Sequence, residues 1–170
     1  MDRLFFGVTI LAGVVATGFA WFDLPDRVPM HFGGSGAVDQ WGSRTQAVVT
    51  MGCILAGLSL LFWLLAIWVP RAPETLLNIP ARDKEWWLAS PGRRQRLNTR
   101  IATDLYILGG TTILFFVVIE LLMVRAAHES APALGGWFWV VLAVYLVGVL
   151  GYSGYMITVR YRRPRDADDG

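Results

Sequence analysis

Residues 101–124 read IATDLYILGGTTILFFVVIELLMV, an apolar run interrupted only by Asp104 and Glu120. At a rise of ~1.5 Å per residue this run, once helical, is long enough to cross a hydrocarbon core ~30 Å thick. Three further stretches of the same kind, 4–22, 47–69 and 136–159, flank it, so most of the 170 residues are apolar and chain-spanning in character. Composition agrees: 55% hydrophobic and 16% charged residues lie far from ordinary globular usage. The fold expected is an all-α integral membrane protein, a four-transmembrane-helix antiparallel bundle with a short ordered outer loop.

Basic residues set the expected orientation. With the N-terminus in the cytoplasm, the inner side collects twelve of them: Arg3; Arg71, Arg82, Lys84, Arg93, Arg94, Arg96 and Arg100; Arg160, Arg162, Arg163 and Arg165. Arg27, Arg44 and Arg125 remain outside, and a split of twelve to three puts both termini in the cytoplasm. The first run continues to Phe22 and ends on Trp21 rather than on a small-x-small site, which favours a retained helix over a cleaved signal. Four parts follow: a two-helix module (1–70) with its outer loop at 23–46, a basic cytoplasmic connection with an interfacial Trp segment (71–100), a second helix pair (101–159) and a cytoplasmic tail (160–170).

Trp21, Trp41, Trp68, Trp137, Trp139, Tyr152, Tyr155 and Tyr161 fall near the ends of the spans, where amphipathic rings suit the headgroup region. Small residues recur at helical spacing: Ala12, Ala16 and Ala20; Thr9, Gly13 and Thr17; Gly52, Ala56 and Ser59; Gly148, Gly151 and Gly154. Such stripes let helices approach closely in lipid, within the bundle or against another subunit. Cys53, the single cysteine, reads as a small packed residue.

The outer loop, residues 24–44, reads LPDRVPMHFGGSGAVDQWGSR. Pro25 and Pro29 enforce extended or turning backbone, and the glycines from Gly33 to Gly36 permit a tight turn, so a small folded cap, potentially a hairpin, is expected. Asp26 is expected to pair with Arg27 or Arg44, and His31 to hydrogen-bond within the loop. One histidine with Asp26 and Asp39, even with His128 and Glu129 on the same side, falls short of a metal set, and no metal or other cofactor is expected. The glycine turn is followed by neither Lys-Ser/Thr nor a βαβ unit, which removes a phosphate-cradle reading.

The inner connection, residues 77–100, reads LNIPARDKEWWLASPGRRQRLNTR. Trp86, Trp87 and Leu88 suit the membrane interface. Ser90 followed by Pro91 is a helix start, from which the chain runs unbroken into the third span. Arg93, Arg94 and Arg96 crowd that positive helix end, and anionic lipid headgroups or an acidic partner are expected to compensate them. Of the intramembrane carboxyls, Asp104 is within reach of Arg100, and Glu120 of Arg125. They stand ~160° apart around the helix and share no face, which leaves a proton pathway without a relay.

The two loops also resemble an uncharacterised bacterial multi-pass membrane family with an outer-loop pattern Leu-Pro-x-x-x-Pro-x-His-Phe, a glycine turn, an Asp and Trp-Gly-Ser-basic. The same module occurs in the membrane-embedded immunity protein against the sporulation-delaying toxin. Leu24, Pro25, Pro29, His31, Phe32, Gly36, Asp39, Trp41, Gly42 and Ser43 carry that likeness, and Asn78, Ile79, Pro80, Lys84, Trp87, Leu88 and Ala89 carry a second one, with Trp86 where the family commonly has Tyr. The resemblance implies an outer recognition motif and an inner motif (Asn78, Pro80, Trp86, Trp87), and it brings no catalytic residues. With no Ser-His-Asp, Cys-His or Rossmann-like arrangement in the chain, the expected function is non-catalytic recognition, immunity or signalling through the outer loop and the basic inner loop. Membrane lipids and other membrane proteins or a peptide are the expected partners, and nucleic acid is not. A small accessory subunit of a larger complex is the alternative, and a transporter a minor one.

Overall fold

The computed structural model describes residues 1–77 and 79–163. Its elements are α1 (Asp2–Asp23), β1 (Arg27–Phe32), β2 (Val38–Ser43), α2 (Arg44–Trp68), α3 (Ala81–Leu88), α4 (Pro91–Ala127) and α5 (Gly136–Tyr155), with short 3-10 turns after α2 and a π-helical continuation of α5 over Met156–Arg160. Four helices are long and apolar enough to cross a membrane: Asp2–Asp23, Arg44–Arg71, Pro91–Ala127 and Gly136–Arg160. They coincide with the four apolar runs, the third extended N-terminally to Pro91. The chain is mostly helical, as expected, and the folded segment between α1 and α2 is one antiparallel two-stranded hairpin.

Local chemistry accounts for the boundaries. Pro25 disfavours helix at Leu24, which turns extended (φ −65°, ψ 138°) while its N–H still caps Ala20. Ser43 caps α2 by accepting from the Gln46 N–H at 3.1 Å, and Ser90 caps α4 from Arg93, with Pro91 in the first turn.

The long α4 is the central element. Both α1 and α2 pack on it, and among the described residues α5 packs on α4 alone of the spanning helices. Apolar contacts form three clusters. Phe6, Ala16, Leu55, Ala66, Tyr106, Ile113 and Val117 make the middle one; Ala20, Leu24, Val28, Ala47 and Val124 make one beneath the hairpin; Leu77, Trp87, Leu97 and Tyr161 make one at the opposite, tail end.

Close approach depends on a glycine pair outside the stripes singled out above. A Cβ on Gly109 would stand 2.6 Å from Phe62, and one on Gly110 2.5 Å from Phe5. Lipid offers little hydrophobic drive for helix association, so this intimate contact is a principal source of packing energy. By contrast, Gly148, Gly151 and Gly154 meet nothing within 4 Å, and no residue of α5 is buried. Among the described residues the fourth stripe therefore meets no packing partner, whereas those of α1 and α2 do: Gly13 lies against Leu55 and Val117, and Gly52 against Thr17.

Candidate functional site

The outer-loop motif folds into a cap. In the hairpin Arg27 pairs with Ser43, Val28 with Gly42, Pro29 with Trp41 and Phe32 with Val38, with irregular pairing around Met30 and His31. Pro29 lacks the N–H that a regular ladder would use, which suits a strand at an irregularity. The turn closes through Gly33 N–H to Ala37 O and Gly36 N–H to Gly33 O, both 2.8 Å. Gly36 adopts φ +79°, the conformation that favours glycine.

The hairpin tip is fastened to the α4 to α5 connection. Leu134 N–H donates to Gly36 O at 2.8 Å, and Ala37 bridges Ala133. Gly42 is required for a different reason, since a Cβ there would stand 2.7 Å from Met30 and 2.8 Å from Gln46. Pro25, Pro29, Gly36 and Gly42 thus shape the cap, while Val28 joins the apolar cluster below it and Pro29 is buried.

Polar members of the motif face outward. His31 Nδ1 meets Asp39 Oδ1 at 2.6 Å, with the side chains 64% and 53% exposed. Asp26 pairs with Arg44 at 3.1 Å rather than with Arg27, whose guanidinium lies 4.4 Å over the Trp41 ring. No group of three or more His, Cys, Asp or Glu suited to a metal ion occurs among the described residues.

Beneath the cap lies an apolar cavity of about 240 Å³. Pro29, Met30 and Phe32 of β1 form one wall, Met51 of α2 and Ile119, Leu122 and Met123 of α4 another, and Trp137 and Phe138 of α5 the third. Arg125 and Glu129 lie at its edge, 3.8 Å from each other. Phe32 therefore serves the cavity, a role its place in the motif did not disclose.

At the tail end the inner motif is internal. Pro80 starts α3 by accepting from Lys84 N–H at 2.9 Å, and Asn78 lies outside the described residues. The expectation that Trp86 and Trp87 both rest in the membrane interface is corrected. Trp87 is buried, its Nε1–H donating to Tyr161 O at 2.8 Å, because an indole buried inside the fold needs a partner for that proton. Trp86 is half-buried under Arg93, whose guanidinium is 4.3 Å from the ring.

Two of the three arginines at the start of α4 also bond within the chain. Arg93 and Arg94 donate to the carbonyls of Trp86 and Ala72, at 3.4 and 2.9 Å. Arg96 is exposed. Carbonyl oxygens solvate a guanidinium without neutralising it, so the positive end of α4 keeps its charge.

Asp104 differs from the expectation most. It is 1% exposed, and its partner is Arg160 rather than Arg100. Arg160 Nε donates at 2.7 to 2.8 Å, Tyr152 Oη to Oδ1 at 2.7 Å and Tyr161 Oη to Oδ2 at 2.6 Å. Arg100 instead donates to Arg160 O at 2.6 Å and lies 4.9 Å over the Trp87 ring. Burial, then the hydrogen bond to Asp104 and that carboxylate's charge, push the Tyr161 hydroxyl well above the ordinary phenol range. The π-helical turn over Met156–Arg160 brings Arg160 and Tyr161 to this point. Tyr152 and Tyr161 are consequently carboxylate ligands rather than members of a headgroup belt, whereas Trp21, Trp68, Trp137, Trp139 and Tyr155 are exposed as a belt requires. A signal existed in the sequence: Asp104 stands near the start of the third apolar run and Arg160 just past the end of the fourth.

Glu120 also lacks its expected partner. It accepts from Thr17 Oγ1 at 3.1 Å, while Arg125 lies against Glu129.

No curated protein and no solved structure matches this chain. Over residues 8–56, which hold most of α1, the whole hairpin and the first half of α2, the chain matches a family model described as a domain of unknown function, DUF1648, and it is to that uncharacterised family that the cap-bearing part of the molecule is similar.

Proposed function

We propose that the protein is a non-catalytic bacterial plasma-membrane protein whose cap recognises an apolar group of a peptide or membrane protein on the outer side, in immunity or signalling. In this reading the four helices form an antiparallel bundle with both termini in the cytoplasm, as the twelve-to-three division of basic residues favours. The carrying observation is the cavity of about 240 Å³ roofed by the hairpin and lined by aromatic and methionine side chains. A pocket of that size accepts one bulky apolar anchor, and deeply seated anchors dominate recognition energies. Methionine thioethers adapt to the shape of whatever enters. The tail end, with exposed Arg96 and the charged start of α4, supports a cytoplasmic contact with anionic lipid or an acidic partner.

The test is a photo-crosslinking side chain at Phe32 or Trp137, compared with one on the exposed faces at Val8 or Leu60, in intact cells. A discrete polypeptide adduct from the cavity positions alone is expected. Identical adducts from all four positions, or lipid adducts only, would end the recognition reading.

A second reading, an accessory subunit of a larger complex, draws support from α5, which buries no residue in this chain and leaves Gly148, Gly151 and Gly154 uncovered. Mass analysis after gentle extraction is expected to show a second polypeptide at fixed stoichiometry if this reading is right, and the chain running alone if it is not.

A further inference from the structure

Glu120 occupies a position that neither reading uses. It is 0% exposed, between the middle apolar cluster and the one below the hairpin. One carboxyl oxygen, Oε2, accepts from Thr17, whereas Oε1 is buried without a hydrogen-bond partner. Among the described residues no basic side chain lies within ion-pair distance of it. An ionisable group so placed in a membrane-spanning helix is costly unless something answers its charge.

The same Thr17 lines a groove of about 300 Å³ between α1 and α2. Gly13, Gly52, Leu55 and Ala56 wall it, and Ile113 of α4 forms its floor. Ile113, Val117 and Glu120 follow one another at four and three residues, so they share the face of α4 turned towards this groove. Val117 is in contact range of the Cβ position of Gly13. Glu120 thus stands one hydrogen bond behind the groove, at the end nearer the hairpin.

The groove's other hydroxyl, that of Ser59, is committed to Leu55 O at 2.7 Å. A small inorganic cation, which needs several oxygen ligands, finds too few here. A plain hydrocarbon chain fills the groove but leaves Oε1 unanswered. A molecule carrying positive charge on an apolar frame meets both conditions. We propose that the groove between α1 and α2 binds a lipophilic organic cation, such as an aryl or alkyl ammonium or phosphonium, with Glu120 as its counter-charge and Thr17 as the hydroxyl that gives way to it.

The full chain in a mild non-ionic detergent, dialysed against tetraphenylphosphonium and separately against tetraphenylborate, tests this through two ions of one shape and opposite charge. Saturable binding of the phosphonium and none of the borate is expected. Glu120→Gln should weaken phosphonium binding about tenfold or more, and Glu120→Asp less than that. Gly52→Val, which fills the groove, should also weaken it. Equal binding of both ions, binding of neither, or a well-folded Glu120→Gln protein that binds like wild type would overturn the proposal. Should the Gln variant fail to fold, the two ions on the wild-type protein still decide it.

Discussion

The two ends of the molecule handle charge in opposite ways. At the tail end a carboxylate with 1% exposure is held by Arg160 and two tyrosine hydroxyls, and its neighbours Trp87, Arg100 and Asp83 tie α3, α4 and the chain beyond α5 together. Among the described residues the ion pairs at the hairpin end are wholly or partly exposed: His31 with Asp39, Arg44 with Asp26, Arg125 with Glu129, His128 with Asp23. Exposed pairs contribute little to stability, whereas a buried and fully hydrogen-bonded one fixes geometry and is expensive to break. One end is built as a joint and the other as a surface over a cavity.

The largest effect should therefore come from the joint. Asp104→Ala leaves Arg160 without its counter-charge and is expected to cost ~3–5 kcal/mol, read as a lowered denaturant midpoint in detergent, with loss of Trp87 protection in fluorescence quenching. A cost below ~1 kcal/mol would mean that the network is ornamental and the contrast between the ends false. Gly109→Ala comes next. The added methyl collides with Phe62 Cβ and Cγ, and a loss of ~1–3 kcal/mol is expected in the same assay, with the double variant carrying Phe62→Ala losing less than the sum of the two single changes because the Cγ contact is gone.

Tyr152→Phe removes one hydrogen bond to the carboxylate and leaves two other partners in place, so ~1.5–3 kcal/mol is an upper range and a smaller loss than for Asp104→Ala is expected. At the hairpin end His31→Ala should change stability by no more than ~0–1 kcal/mol while leaving expression intact. A larger loss there would show that the cap depends on its surface pair, erasing the distinction between the two ends. Sidedness sharpens the same comparison. With Cys53 replaced by Ala, single cysteines at Ser35 and Ser90 are expected to label from opposite faces of the membrane, and labelling from one face would remove the outer cap and inner joint together.

Much of this arrangement was legible in the sequence because it depends on sums over neighbouring residues. The apolar runs, the Ser90 and Pro91 start of α4 and the proline and glycine pattern from Pro25 to Gly42 act through local backbone preference and transfer energy, and the helices and hairpin form where those residues stand. That His31 bonds within the loop was legible too, whereas its partner, Asp39, is set by the pairing of the two strands. Asp104 and Glu120 stand out in the sequence as carboxyls within an apolar run, yet local reach along the helix points to arginines four or five residues away, and neither is the partner.

The sequence by itself determined four membrane-length apolar helices, a glycine turn between the first two, and an excess of basic residues towards one side. Only the tertiary structure decided that Asp104 is answered by Arg160, Tyr152 and Tyr161, that Glu120 among the described residues is answered by Thr17 alone, and that α5 lies at the edge. The reason is physical. Segment hydropathy is summed along the chain, but which helices touch is settled by small differences in close packing and hydrogen bonding between apolar surfaces that lipid wets equally well. A bend of one π-helical turn or a glycine admitting an aromatic ring then chooses the partners, and neither is visible until the helices are side by side.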